Sequence, residues 1–368
     1  VTAGANARPA ETAEGRPRVT RRRLAVGFTV TVLVGVGVAL LVGKLAGFAR
    51  LLDELRDAHL AWLALGFGAE TVSFAGYMLA FRESVAFGGG PQVSPWATVR
   101  LVMASLGATR IVAAGGAGGL AVIYWALRQG GEDRGRALVR VLGFNTLLYA
   151  VFGLAAAAAA ALALVGVGGN APPAIILPWL AVVALCFAGA AFVLRPARFE
   201  RITTVSPAAG WARRSLGLAV AGVDMVRQMR GIRSVRSRSL LGAIGWWAGD
   251  MTCLWAGLHA FDADIGAAEL VLAYTTGYVA TIVPLPTGGV GGVDAAMTFA
   301  LNALGVPLAD ALLGVVAYRL LAFWIPTVPA VVALATLPKL GRDLRARARS
   351  APPPAQDLTA STEPPSPR

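Results

Sequence analysis

Apolar positions in this 368-residue chain fall in long uninterrupted blocks, and the charged positions are gathered into short segments between them. Six blocks, residues 24–46, 60–81, 137–165, 174–194, 239–261 and 311–336, are long enough as helices to cross roughly 30 Å of hydrocarbon at about 1.5 Å per residue. Two more blocks, 96–126 and 269–304, are broken near their centres. The first is interrupted by Gly115-Gly116-Ala117-Gly118-Gly119, the second by Pro284-Leu285-Pro286-Thr287-Gly288-Gly289-Val290-Gly291-Gly292. Proline and glycine at those points deny the backbone a continuous helical ladder, which a bilayer tolerates only where protein or water satisfies the freed groups.

Loop charge decides what the broken blocks are. Arg16, Arg18 and Arg21 to Arg23 place the N-terminus in the cytoplasm, because basic residues gather on that side. Arg21 to Arg23 followed by an apolar run also resembles a signal peptide, but the run from Leu24 to Gly47 is too long for one, so a retained first span is expected. Residues 47–59 set Arg50, Arg56, Asp53, Glu54 and Asp57 around Leu51, Leu52 and Leu55, which predicts a helix lying at the outer interface. The span 60–81 then delivers Arg82 inside, and Arg128, Arg134, Arg136 and Arg140 follow block 96–126 on the same side. A block that begins and ends in the cytoplasm is not one crossing, and its halves, about 17 and about 8 residues, rise only about 12 to 26 Å. A re-entrant hairpin is predicted. The arginine-free segments around Asp262, Asp264, Glu269 and Asp310 put both ends of 269–304 outside, which predicts a second hairpin of opposite orientation. Lys339, Arg342, Arg345, Arg347 and Arg349 bring the chain back to the cytoplasm.

The expected fold is therefore an all-α integral membrane protein of six full transmembrane helices plus two opposed re-entrant helical hairpins in an inverted repeat. Repeat one covers about 24–165 and repeat two about 174–336, within a membrane domain 21–349 flanked by tails at 1–20 and 350–368 whose composition predicts disorder. Placing Gly115 on Gly288 aligns GGAGG with GGVGG without a gap and carries 137–149 onto 310–322. A glycine-rich chain also produces GGxGG by chance or for helix packing; the topology from loop charge is independent of glycine and favours the repeat. Between the repeats, residues 195–238 hold ten arginines against one glutamate and one aspartate. There Trp211 to Val235, with Leu216, Val220, Val223 and Val226 at helical spacing, predicts a cytoplasmic amphipathic helix on anionic headgroups.

Composition sharpens this picture. The chain is 56% apolar and 14% charged, and its mean hydropathy is +0.65, which excludes an ordinary soluble domain. The +13 net charge lies in short blocks without interleaved aromatics, so it is read as orientation signal rather than as a nucleic-acid surface. Cys186 and Cys253 sit inside apolar runs as small core residues. His59 and His259 belong to no HExxH or other metal spacing, and neither a GxSxG elbow nor a complete GxGxxG is present. No catalytic residue, metal or cofactor is expected.

Each predicted hairpin aims a helix N-terminus into the membrane, and two such ends suit an anion such as phosphate. Gly115, Gly116, Pro286, Gly288, Gly289 and Gly291 are thus candidate substrate-binding positions, together with Arg110, Asp294 and Arg319. A charge near the bilayer centre costs at least roughly 2.5 to 3.5 kcal/mol, so each needs a partner or a watery cavity. Two readings stay open: Asp294 or Asp250 paired with Arg319 and Glu70 paired with Arg110 as struts, or arginines that bind a lipid phosphate while Asp294 caps its half-helix. Glu70 and Asp250, in the middle of equivalent spans, are candidates for proton coupling.

Pro284 to Gly292, then Leu304-Gly305-Val306-Pro307, then Ala317-Tyr318-Arg319-Leu320, resemble the lysylphosphatidylglycerol synthase transmembrane family, also called the flippase-like domain family. The resemblance covers about residues 24–345. It implies translocation of an anionic phospholipid or a polyprenyl-phosphate-linked lipid between leaflets of the plasma membrane, with both termini cytoplasmic. Thr287 stands where the family has glycine or proline, Asp294 where it has glutamate, and the first half shows Ala114-Gly115-Gly116 and Phe144-Asn145-Thr146 instead of the family's turn and arginine. The soluble aminoacyltransferase domain of the two-domain members has no counterpart, so no lipid aminoacylation is expected. Membrane lipids are the expected partners and nucleic acid is not. Two alternatives make different demands on the structure. A secondary transporter of a small anionic solute needs a polar cavity closed to lipid; a non-transporting partner of a cell-envelope glycosyltransferase or lipid synthase needs solid packing around Gly288 and Arg319.

Overall fold

A computed structural model describes residues 29, 33, 58–111, 117–204, 210–282 and 290–350. Most of the span expected at 24–46, residues 47–57 of the interface helix, Gly115, Gly116, Pro286, Gly288, Gly289 and the two tails lie outside the described residues. Every regular element among the described residues is helical. In chain order these are α1 (Leu60–Ala86), α2 (Pro95–Ile111), α3 (Ala117–Gln129), α4 (Arg134–Leu164), α5 (Pro173–Val193), α6 (Pro196–Thr203), α7 (Trp211–Met229), α8 (Arg233–His259), α9 (Ala267–Tyr278), α10 (Gly292–Ala303), α11 (Leu308–Arg319), α12 (Ile325–Ala335) and α13 (Leu337–Ser350). A 3-10 turn, Val279–Ile282, extends α9, and a π turn, Leu320–Trp324, joins α11 to α12.

Among the described residues, four helical units are long and apolar enough to cross a membrane: α1, α4, α5 and the continuous Leu308–Ala335 unit formed by α11, the π turn and α12. They match the blocks at 60–81, 137–165, 174–194 and 311–336. α8, in the block at 239–261, has the 27 residues of α1 but starts with Arg233, Arg236 and Arg238 and is less apolar. Its place is set by packing on α1.

That packing is close because both helices present small residues at the crossing. A Cβ on Gly76 would lie 2.6 Å from Gly242 O and Trp246 N; one on Gly249 would lie 2.5 Å from Ala69 O. Gly66 faces Ala256 and Cys253, while Gly242 faces Ala80, so the partner number falls as the α1 number rises and the helices are antiparallel. Side chains of this size let two backbones touch, the arrangement favoured between helices that have no hydrophobic force to join them in lipid.

Helix boundaries recur along the chain. Shifting α1 by the 173 positions that separate Gly115 from Gly288 lands on 233–259, the bounds of α8. The same shift carries α2 onto α9 and its 3-10 extension, α3 onto α10, and α4 onto Leu308–Ala335, each within two residues at either end. The α1–α8 contact is reciprocal under it: Ala69 meets Gly249, the counterpart of Gly76, and Gly76 meets Gly242, the counterpart of Ala69. At the centre Ser73 Oγ donates to Trp246 O at 2.8 Å, and Trp246 is the counterpart of Ser73. α2 packs on α3, and α9 on α10, as two short helix pairs. At about 1.5 Å per residue, α2 rises about 25 Å and α9 and α10 about 18 Å each.

Two expectations are corrected here. Ala117, Gly118 and Gly119 do not form a turn; they are the first residues of α3. Glycine is needed at 119 because α2 lies against it, where a Cβ would meet Thr109 Oγ1 at 2.3 Å and Ser105 O at 2.9 Å. The amphipathic helix expected over Trp211 to Val235 ends at Met229 as α7, and part of its apolar stripe rests on α4 while Leu216 is exposed. Gly222 opposes Gly143, Met225 covers Gly143, and Val220, Met225 and Met229 are buried in that contact. Arg140, one of the cytoplasmic markers, is itself buried on α4, where it pairs with Glu132 and donates to the carbonyl of Phe87.

Candidate functional site

The last apolar unit contains the most consequential local feature. Pro326 has no N–H, so the carbonyl four residues earlier, Ala322 O, loses its helical donor. Arg110 of α2 supplies one: its Nη2 donates to Ala322 O at 3.1 Å, and its Nη1 donates to Phe323 O at 2.6 Å and to Thr327 Oγ1 at 2.5 Å. Arg110 is 4% exposed and its guanidinium stands 4.4 Å from the Phe323 ring centroid. The backbone opened by Pro326 and the π turn is thus satisfied by a cation from another helix, as freed carbonyls in a bilayer require. Arg110 is a strut of the broken helix.

Arg319 also stands over the Phe323 ring, 4.3 Å from its centroid. Its Nε lies 2.5 Å from Asp294 Oδ1. Asp294 is the third residue of α10, and its Oδ2 accepts the N–H of Gly291 at 2.9 Å, a bond that caps the helix N-terminus. Gly291 takes φ +85°, which its lack of a Cβ permits. Asp294 therefore does both things expected of it, cap and counter-ion. Arg319 Nη2 has no hydrogen-bond partner.

Glu70 and Asp250 come together rather than each meeting an arginine. They project from α1 and α8 near the crossing, are 4% and 5% exposed, and line the same cavity. Asp250 Oδ2 also accepts the phenol of Tyr318 at 3.1 Å and that of Tyr274. Glu70 Oε2 has no partner. The pairing of Asp250 with Arg319 is replaced because Asp250 accepts the two phenols and Arg319 takes Asp294, and that of Glu70 with Arg110 because the guanidinium is spent on the π turn.

Between these groups lies a cavity of about 340 Å³. Glu70, Asp250, Arg110, Arg319, Tyr318 and Thr109 give it a polar end; Phe74, Tyr77, Trp246, Trp247 and Tyr278 form its aromatic wall. Gly119 reaches the cavity from α3 and Thr281 from the turn after α9. The wall is fixed by Trp247 Nε1, which donates to Leu148 O at 2.8 Å, and by edge contacts of Tyr77 with Phe144 and Trp246 at 5.0 and 4.9 Å. A second space of about 380 Å³ adjoins it and is a surface groove rather than a chamber. Phe67, Met78, Met103, Leu321, Ile325 and Pro329 line it, and Glu70 and Phe74 belong to both spaces. Among the described residues no group of three or more His, Cys, Asp or Glu is arranged to hold a metal.

Of the candidate positions, Arg110, Arg319, Glu70 and Asp250 share one cavity, and Asp294 and Gly291 stand directly behind Arg319. Sequence reasoning missed Tyr274, Phe323, Thr327 and the groove residues. Only Thr327 carried a legible signal, as the hydroxyl next to the proline that breaks the helix.

Residues 28–330 match the family described as the lysylphosphatidylglycerol synthase TM region, and the chain belongs to it. A comparison with curated proteins found none that matches. Family and apolar helices together make this a multi-pass membrane protein with a role related to membrane lipid.

Proposed function

We propose that this protein moves an anionic lipid between the leaflets of the plasma membrane, with the headgroup in the polar cavity and the hydrocarbon tail in the adjoining groove. The observation that carries this reading is that a cavity holding two arginines and a groove lined by aromatic, aliphatic and thioether side chains share Glu70 and Phe74 in their walls. A small-solute transporter has no use for such an adjoining apolar groove, and a passive partner has no use for the cavity.

The headgroup anion meets Arg319, which lines the cavity and whose charge Asp294 only partly offsets because that carboxylate also caps α10. In this reading α2 with α3, and α9 with α10, are re-entrant hairpins entering from opposite faces, and the chain is an inverted repeat about an axis near Ser73 and Trp246. The recurrence of helix bounds at a shift of 173 and the reciprocal antiparallel contact of α1 and α8 support it. Reciprocal packing of equivalent helices gives two related arrangements, one open to each leaflet, which is the requirement for alternating exposure of one site.

The test is to place a photoreactive diazirine near the glycerol end of the tail of a phosphatidylglycerol and to map its attachment to the purified protein. Labelling is expected on Phe67, Met78 and Met103, with displacement by unlabelled phosphatidylglycerol and not by inorganic phosphate. Attachment confined to outward residues such as Val182 and Leu185 of α5, or equal displacement by free phosphate, contradicts the reading.

A further inference from the structure

The cavity wall contains a group that lipid binding alone does not need. Two carboxyls, Glu70 and Asp250, are buried in the wall of the same cavity, and Glu70 also borders the groove. Two ionised carboxylates buried in one cavity repel each other in a low dielectric, and one proton held by the pair removes that repulsion. Each cation near the pair already has partners of its own. On α2, Arg110 is bonded to Ala322 O, Phe323 O and Thr327; on α11, Arg319 is paired with Asp294 of α10. The remaining titratable neighbours are neutral donors: Tyr318 of α11 and Tyr274 of α9 bond Asp250, Cys253 lies one turn further along α8, and Tyr77, Tyr149 and Tyr278 line the wall.

Charge counting then links proton to lipid. Arg110 and Arg319 face Glu70, Asp250 and Asp294, two positive groups against three carboxyls. With the proton the site is neutral; without it the site carries a net negative charge and repels an anionic headgroup across a few ångströms of low-dielectric protein. Asp250 accepts both phenols, whereas Glu70 has an oxygen without a hydrogen-bond partner and borders both spaces, so Glu70 is the member assigned the proton.

We propose that Glu70 is a proton site coupled to the lipid site: an anionic lipid enters with one proton on the Glu70–Asp250 pair, and release of that proton to water in the cavity drives the headgroup out. The inference rests on the lipid reading above. It makes binding and protonation reciprocal, so the affinity for an anionic lipid falls as pH rises, and lipid binding at high pH takes up a proton.

The full-length protein in a zwitterionic nanodisc is titrated with dihexanoyl phosphatidylglycerol from pH 5.5 to 8.5, in weak buffer with a pH indicator. The wild type is expected to weaken by up to about tenfold per pH unit at the upper end and to take up about one proton per lipid there. Glu70→Gln keeps a donor toward Asp250 but cannot release it, so its affinity is expected to stay flat across the range with no proton uptake. Glu70→Asp, which keeps the carboxyl, is expected to retain the slope. Lipid binding by the wild type without proton uptake, or the same slope in Glu70→Gln, overturns the coupling while leaving the lipid reading standing. Absence of binding at every pH overturns both.

Discussion

At the scale of residues, the site divides its two arginines between different tasks. Arg110 completes the backbone of a neighbouring helix, whereas Arg319 lines the cavity and pairs with Asp294. Thr327→Val removes one acceptor of Arg110 and leaves a buried guanidinium N–H short of a partner, so stability is expected to fall by about 1 to 3 kcal/mol in detergent unfolding. Arg319→Ala leaves Asp294 without its counter-ion in a nearly closed site, and a loss of about 3 kcal/mol is expected. Adding Asp294→Asn, which keeps the cap acceptor and removes the charge, is expected to restore part of that loss, since paired residues do not contribute additively. The legibility of these residues was uneven. Arg110, Arg319, Asp294, Glu70 and Asp250 stood out because ionisable groups in apolar blocks are rare. Their partners did not, because which carboxyl meets which arginine depends on where α1 and α8 cross and on a donor lost four residues before Pro326.

At the scale of elements, the apolar blocks were readable because long hydrophobic runs have few alternatives in a membrane. Gly118 and Gly119 were not, since glycine serves a turn and a close helix contact equally well and only the position of α2 decides between them. The same contrast gives a prediction within α1. A Cβ at Gly68 meets nothing within 4 Å, and Gly68→Ala is expected to stabilise by up to about 1 kcal/mol through helix propensity. A Cβ at Gly76 meets the backbone of α8 at 2.6 Å, which no side-chain motion relieves. Gly76→Ala is expected to destabilise by at least about 1 to 3 kcal/mol, with thermal unfolding of both variants as the check. α7 shows the reverse lesson: its amphipathic pattern was legible, but pattern alone does not say whether an apolar face meets lipid or, as here, Gly143 of α4.

At the scale of the whole molecule, basic segments at one end and the acidic Asp262–Asp264 segment at the other imply a fixed orientation. With Cys186 and Cys253 replaced by alanine, Asp264→Cys is expected to react with an impermeant maleimide on intact cells and Ser237→Cys only after lysis; the opposite pattern would invert the topology. The central claim concerns leaflet exchange, and it is tested most directly in vesicles carrying headgroup-labelled phosphatidylglycerol and an external impermeant quencher. The wild type is expected to expose inner-leaflet label faster than protein-free vesicles, and Ala75→Trp, which fills the groove from its exposed rim, to slow this by about tenfold or more, equivalent to about 1.4 kcal/mol. Exchange no faster than in protein-free vesicles, or exchange that Ala75→Trp and Arg319→Ala both leave at the wild-type rate, would contradict the account.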